Sequence, residues 1–293
     1  MADEAEVGAV MIRQSAALAA LLLAGCSTTI SEDTLLRPTL GGALNPQALG
    51  QAAPAYASSE HWITAADGTR LHAVLLRQPG SRATILYFGG NGYTIGQFGA
   101  MTARQFAPIG ADLMIVDHRG YGRSEGRPSQ ANLEADGVAA FDYLTRTAGV
   151  APEKVVIHGQ SLGSFIAGRV AVDRSAGGVV LESSATTTED WVAASHRGIA
   201  RMLVRVDIDP TLRGRGNLPN MPRIEEPLLI LVGSADRTTP PRLSQALYNA
   251  SPLPPGRKSL AIIPGANHVD VMDRPQTIAA YRAFVERLGI SPR

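Results

Sequence analysis

The sequence predicts an α/β fold: a mostly parallel sheet with helices on both faces and a small inserted cap. Two observations carry it. Short, continuous apolar runs such as Val155-Val156-Ile157 recur along the chain, as expected of strands covered on both faces. Longer stretches of helical period lie between them, and strand–helix alternation generates parallel βαβ units. A chain of 293 residues, 45% hydrophobic and 18% charged, has ample apolar material for one sizeable core.

The N-terminal part divides in two. Residues 15–26, "SAALAALLLAGC", form an uncharged apolar stretch after Arg13. It is too short for a membrane-spanning helix, which needs about 20 apolar residues, and reads as a secretory signal. Leu23-Ala24-Gly25-Cys26 resembles the lipobox of bacterial lipoproteins, in which cleavage leaves a diacylated Cys as the new N-terminus; Cys26 is the one cysteine of the chain. Asp3, Glu4 and Glu6 have the wrong sign for the start of a signal, so translation is expected to begin at Met11, just before Arg13. With Ser27 and not Asp after the cysteine, the lipoprotein resemblance implies the outer membrane, facing the periplasm. Residues 27–57, rich in Ala, Gly, Ser, Thr and Pro without sustained periodicity, read as a flexible tether.

The folded domain is expected over 58–293. Strands are predicted at 70–76, 83–88, 113–117, 154–158, 178–182, 228–232 and 259–264, and helices at 132–147, 162–172, 242–250 and 276–288. The helix at 132–147 places Leu133, Gly137, Ala140, Phe141 and Leu144 on one face. Residues 186–222 break the alternation and are longer than an ordinary connection, so a cap is expected there. Within it Arg197, Arg201 and Arg205 recur every four residues, with Ile199, Met202 and Val206 on another side. As a helix this is either a solvated arginine face over a packed cap or a surface that meets anionic lipid head groups or an acyl chain.

The pattern G-x-S-x-G occurs twice, as "GRSEG" at 122–126 and "GQSLG" at 159–163. Roughly 0.2 chance matches are expected in such a chain, so context must decide. A nucleophile elbow needs a strand running into the turn and a helix leaving it, with glycines relieving the crowding. The second match has both: the run 154–158 precedes it and Leu162-Gly163-Ser164-Phe165 opens a helix. The first is followed by Arg127-Pro128, and a proline disfavours helix at the residue before it. Ser161 is therefore the candidate nucleophile, and Ser124 belongs to a glycine-rich loop.

With these residues in place, the chain from about 57 to 288 resembles the α/β-hydrolase superfamily, which implies the α/β-hydrolase fold. "DHRGYGRSEGRPS" is similar to the D-x-R-G-x-G-x-S loop of its monoacylglycerol-lipase, lysophospholipase and depalmitoylase-like members. The resemblance implies Asp236, in "GSADRTTP", as the acid and His268, in "PGANHVD", as the base, following the family's chain order of Ser, acid, His. A serine hydroxyl is a weak nucleophile until an imidazole removes its proton and a carboxylate orients that imidazole. Glu182, ending the strand at 178–182, is a rival acid with the poorer loop match; His118 and His158 read as structural, and Asp117 and Arg119 as stitching the glycine loop. The oxyanion donors are expected to be the backbone of Leu162 and of Gly90 or Asn91, the family often having His-Gly-x where this chain has Gly89-Gly90-Asn91.

The expected activity is hydrolysis of a carboxylic ester or thioester, of a small molecule or a lipid. Amide or peptide hydrolysis on the same fold is one alternative, and a non-catalytic envelope binding module another. A formal net charge of +1 argues against nucleic acid as a partner, and the six scattered histidines and single cysteine form no metal-ligand spacing. No metal, nucleotide or flavin site is implied.

Overall fold

The computed structural model describes residues 26–195 and 204–290. Eight strands build the central sheet: β2 (Ala57–Thr64), β3 (Arg70–Arg77), β4 (Thr84–Phe88), β5 (Asp112–Val116), β6 (Val155–Gln160), β7 (Gly178–Glu182), β9 (Leu228–Gly233) and β10 (Lys258–Ile263). Their order is β10-β9-β7-β6-β4-β5-β3-β2. All neighbours pair in parallel except β3, which is antiparallel to both β5 and β2. The apolar runs predicted as strands all lie in this sheet. Because successive side chains alternate faces, each run feeds two cores: Ile157, Leu86 and Met114 enter one, Val156, Ile85 and Ile115 the other.

Helices cover both faces. Against the first core lie α4 (Gln130–Asp142), α5 (Leu162–Asp173) and α7 (Pro241–Ala250). Against the second lie α2 (Pro46–Ala52), α3 (Ile95–Phe106) and α8 (Pro275–Arg287). The helix expected at 132–147 ends in a wide turn in which Ala148 N donates to Tyr143 O, five residues back.

The segment 27–57 is not a free tether. It carries strand β1 (Cys26–Ile30), a short helix α1 (Glu32–Leu35) and α2, and it buries Leu36, Leu44, Leu49, Ala53 and Tyr56. Each apolar anchor inserts into a core formed by the rest of the chain, and the Tyr56 hydroxyl donates to Ala111 O at 2.8 Å. The folded body therefore includes residues 26–57 as well as those from 58 onward. Leu23-Ala24-Gly25, with the rest of the signal and both candidate start residues, lie outside the described residues. Among the described residues no helix is long and apolar enough to cross a membrane.

Within the expected cap, 186–222, the structure has α6 (Thr188–Ser195) and strand β8 (Val204–Ile208), which pairs in parallel with β1. Arg205 and Val206 thus lie in a strand, correcting the helix expected there; Arg197, Ile199, Arg201 and Met202 lie outside the described residues. Val204, Val206 and Ile208 alternate with Arg205 and Asp207, a period of two that suits a strand.

Candidate active site

Ser161 sits between β6 and α5 at φ 52° and ψ −114°, one of two non-glycine residues with positive φ among the described residues. The turn is possible because of the glycines beside it. A Cβ on Gly159 would lie 2.1 Å from Gly163 O, and one on Gly163 would lie 2.1 Å from Phe88 O. The motif's glycines therefore let helix, turn and neighbouring strand approach within backbone contact. Ser161 N donates to Glu182 O at 2.9 Å, which fixes the turn against β7.

Three distant loops meet at this turn. Asp236 follows β9 and His268 follows β10, so adjacent parallel strands deliver both to the same end of the sheet as the elbow after β6. With its proton on Nδ1, His268 donates to Asp236 Oδ2 at 2.9 Å, and its Nε2 accepts from Ser161 Oγ at 3.0 Å. Asp236 is 3% exposed, and the backbone N–H groups of Thr238 and Thr239 both donate to its Oδ1. Burial pushes the Asp236 carboxyl up, but the His268 hydrogen bond and charge, with the Thr239 donors, outweigh it and hold the group below the usual carboxylate range. It remains an anion at neutral pH, able to fix the imidazole tautomer and stabilise an imidazolium.

Two further residues, which no motif singles out, hold the constellation. Thr239 Oγ1 lies 2.8 Å from Asp236 Oδ2 and 3.1 Å from His268 Nδ1, and it reaches Ser183 O at 2.9 Å. Gln160 Nε2 donates to His268 O at 3.1 Å, tying the histidine loop to the elbow. Thr239 lies in "GSADRTTP" and Gln160 in "GQSLG", each at a position where the pattern specifies no residue.

The rival acid is occupied elsewhere. Glu182 Oε2 is 2.9 Å from His158 Nε2, and His158 Nδ1 is 3.2 Å from the Tyr281 hydroxyl, all of it buried in the second core. His118 is buried too, and its Nε2 donates to Gly89 O, bracing the loop after β4. Burial lowers its pKa, so the ring stays neutral. Gly90, Asn91 and Leu162 line the same cavity as Ser161, and Leu162 opens α5, where a backbone N–H has no intrahelical acceptor. The Asn91 side chain points to the N-terminal segment: Oδ1 accepts from Arg37 N at 2.8 Å, and Nδ2 donates to Leu35 O at 2.5 Å.

Ser124 is held in a different way. Its Oγ donates to Asp117 O at 2.7 Å and accepts from His72 N at 2.8 Å, and the residue is buried. Asp117 in turn accepts from Ile95 N and Arg123 N, while Arg119 binds Asp136 through two nitrogens and also reaches Asp67. The loop is stitched as expected. Ser124→Ala should cost about 1–3 kcal/mol of stability through the unsatisfied backbone groups, while leaving serine-directed labelling in place. A urea midpoint and a fluorophosphonate labelling assay check the two halves.

A cavity of about 540 Å³ opens over Ser161. Ile30, Leu35, Phe165, Trp191 and Val269 give it apolar walls, and threonines of β1, α1, α6 and the loop after β9 add polar residues to its lining.

Residues 79–217 match the family of serine aminopeptidases of the S33 group, Hydrolase_4. The uncharacterized protein YfhR of Salmonella typhi is 30% identical over 228 residues, covering 71% of this chain and 73% of that protein. The uncharacterized protein Rv2307c of Mycobacterium tuberculosis is 28% identical over 184 residues, and the match spans 62% of the length of each. Among solved structures, the esterase Pf2001 of Pyrococcus furiosus superposes with a TM-score of 0.66 at 18% identity, covering 86% of this chain and 98% of that one, a likeness of fold. The chain belongs to the α/β-hydrolase superfamily.

Proposed function

We propose that the protein is a serine hydrolase that cleaves a carboxylic ester or thioester through Ser161, His268 and Asp236. The observation that carries this reading is the unbroken chain from Ser161 Oγ to His268 Nε2, 3.0 Å, and from His268 Nδ1 to Asp236 Oδ2, 2.9 Å, at a cavity with apolar walls. Ser161 Oγ attacks the acyl carbonyl carbon as His268 takes its proton. The carbonyl oxygen becomes an oxyanion facing the backbone N–H of Leu162 and that of Gly90 or Asn91. Collapse expels the alcohol or thiol, which leaves with the proton from His268, and an acyl-Ser161 ester remains. Water then attacks this ester, His268 taking its proton and returning it to Ser161 as the carboxylic acid departs.

Amide or peptide hydrolysis is the second reading, because the matching family is described as serine aminopeptidases. An aminopeptidase must hold a free α-ammonium group, which calls for a carboxylate in the cavity. Among the described residues, no Asp or Glu lines it. A matched ester, thioester and amide of one acyl group test the point. The expected order of kcat/KM places the ester and thioester well above the amide, and amide turnover equal to the ester's would overturn it.

Attachment to the membrane through a lipidated Cys26 belongs to the same proposal and rests on Leu23-Ala24-Gly25-Cys26. Two or more acyl chains make such attachment stable, since each buried methylene contributes about 0.8 kcal/mol. Ser27 at the following position supports the outer membrane as the location. Because Cys26 opens β1 and Thr28 already lines the cavity, the anchor would stand only about 7 Å of extended chain from the cavity wall, instead of at the end of a long tether. The expected finding is an N-terminal peptide beginning with diacylated Cys26 in the membrane fraction. Recovery of soluble protein with an unmodified Cys26 would sink the anchor and leave the hydrolase reading intact.

A further inference from the structure

The wall of the cavity opposite α5 and α6 comes from the segment that follows Cys26: Thr28, Thr29 and Ile30 of β1, then Thr34, Leu35 and Arg37. This wall is fixed to the oxyanion side of the site. Leu36 is buried in the core, Arg37 N donates both to Asn91 Oδ1 at 2.8 Å and to the Tyr121 hydroxyl at 2.9 Å, and Asn91 Nδ2 donates back to Leu35 O. Tyr121 OH also donates to Asn91 Oδ1 at 2.8 Å, closing the network. The neighbouring backbone is that of Gly90, where an added Cβ would come within 3.5 Å of Ser161 Cβ. The Arg37 backbone is thus held two short steps from the candidate nucleophile.

Among the described residues, no Asp or Glu lines the cavity beside Arg37. Arg37 is exposed, and apart from the His268 imidazole it is the only ionisable side chain lining the cavity among the described residues. The two acids on the same segment are engaged elsewhere: Glu32 Oε1 accepts from Gln130 N at 2.8 Å, and Asp33 lies 3.9 Å from Arg127. Asp236 and Glu182 are satisfied behind the site by His268 and His158. Arg37 thus belongs to the lining of a cavity with apolar walls in which no described residue is a carboxylate, and its guanidinium has the planar fork that pairs with a carboxylate or phosphate.

Resting on the hydrolase reading above, we propose that Arg37 is a specificity-determining residue, and that the substrate is an ester carrying an anionic group as well as an apolar chain. The apolar chain lies along Leu35, Phe165 and Trp191, the scissile carbonyl at Ser161, and the anion at the Arg37 guanidinium. Arg37 takes no part in bond breaking; it sets which esters are held.

The test is a ratio of kcat/KM values, measured on the full chain. In one arm, mono-p-nitrophenyl esters of dicarboxylic acids are compared with p-nitrophenyl esters of monocarboxylic acids of the same chain length. In the other, a lysophosphatidate is compared with the monoacylglycerol of the same acyl chain. The first arm reads a carboxylate and the second a phosphate. Arg37→Met is expected to lower the anionic-to-neutral ratio about fivefold or more in at least one arm, Arg37→Glu to lower it further, and Arg37→Lys to retain part of it, through its charge without the planar fork. Raising ionic strength should depress the wild-type ratio and leave that of Arg37→Met nearly flat. A purely structural role for Arg37 would change both substrates of a pair alike and leave the ratio within twofold in both arms, which overturns the proposal. Ser161-dependent turnover of neutral esters with an unmoved ratio removes only the anion. Absence of any Ser161-dependent turnover removes the hydrolytic reading, and this inference with it.

Discussion

Ser161→Ala is expected to lower ester turnover by on the order of a millionfold, to the background left by binding and the oxyanion donors. The loss is this large because attack, acyl transfer and deacylation all pass through one oxygen, which His268 Nε2 contacts at 3.0 Å. His268→Ala removes the base that contacts that oxygen and should cost nearly as much. The double variant should then be scarcely worse than either single one, since the second removal takes away a group that has already lost its function. Asp236→Asn keeps the shape but offers an amide where His268 Nδ1–H needs an acceptor, and about 10⁴-fold is the expected cost. Glu182→Gln should disturb the buried His158 contact and so stability, with turnover per folded molecule largely retained. Turnover falling further for Glu182→Gln than for Asp236→Asn, with both proteins folded, would assign the acid to Glu182.

Gly163→Ala should be strongly disruptive. Its Cβ would meet Phe88 O at 2.1 Å, Phe88 C at 2.5 Å and Gly89 O at 2.6 Å, all backbone atoms of a central strand and the loop that follows it. None of these can swing aside as a side chain would. About 3 kcal/mol or more of destabilisation is expected, with loss of activity in whatever folds, because Phe88 and Gly89 lead into Gly90 and Asn91, the proposed oxyanion donors. Gly50→Ala is the contrasting change. Gly50 lies inside α2 with no atom within 4 Å of its added Cβ, so the methyl should stabilise by about 0.5–1 kcal/mol. Urea midpoints of the two variants read both effects. An unchanged midpoint for Gly50→Ala would mean that residues 46–52 are not helical and that the segment is a tether after all.

The sheet was legible because its strands are unbroken aliphatic runs buried on both faces, a pattern that amphipathic helices do not produce. The constellation at Ser161 was legible because strand, turn and helix chemistry all agree around 154–165, whereas Pro128 breaks that agreement after Ser124. Two failures have one physical source. Helix α3, "IGQFGAMTARQF", was not predicted, and the segment before residue 57 was read as loose. Gly96 and Gly99 weaken the helical signal, yet they are where that segment docks: an added Cβ would lie 2.4 Å from Gly42 O at the first and 2.8 Å from Leu44 Cδ1 at the second. Residues chosen for a close approach look locally like helix breakers, and their partners look like linker. In the cap, the fourfold spacing of Arg197, Arg201 and Arg205 suggested a helix, although the alternation in "VRVDI" was also there to be read. The cavity wall at Thr28–Arg37 had no signal of its own, because it is made by pairing β1 with β8, about 180 residues away.

Mapping of the fluorophosphonate adduct by peptide mass spectrometry tests the central claim most directly. A single modified serine, Ser161, is expected, with labelling abolished in Ser161→Ala and strongly slowed in His268→Ala. An adduct on Ser124, or folded wild-type protein that takes up no label at all, would contradict it.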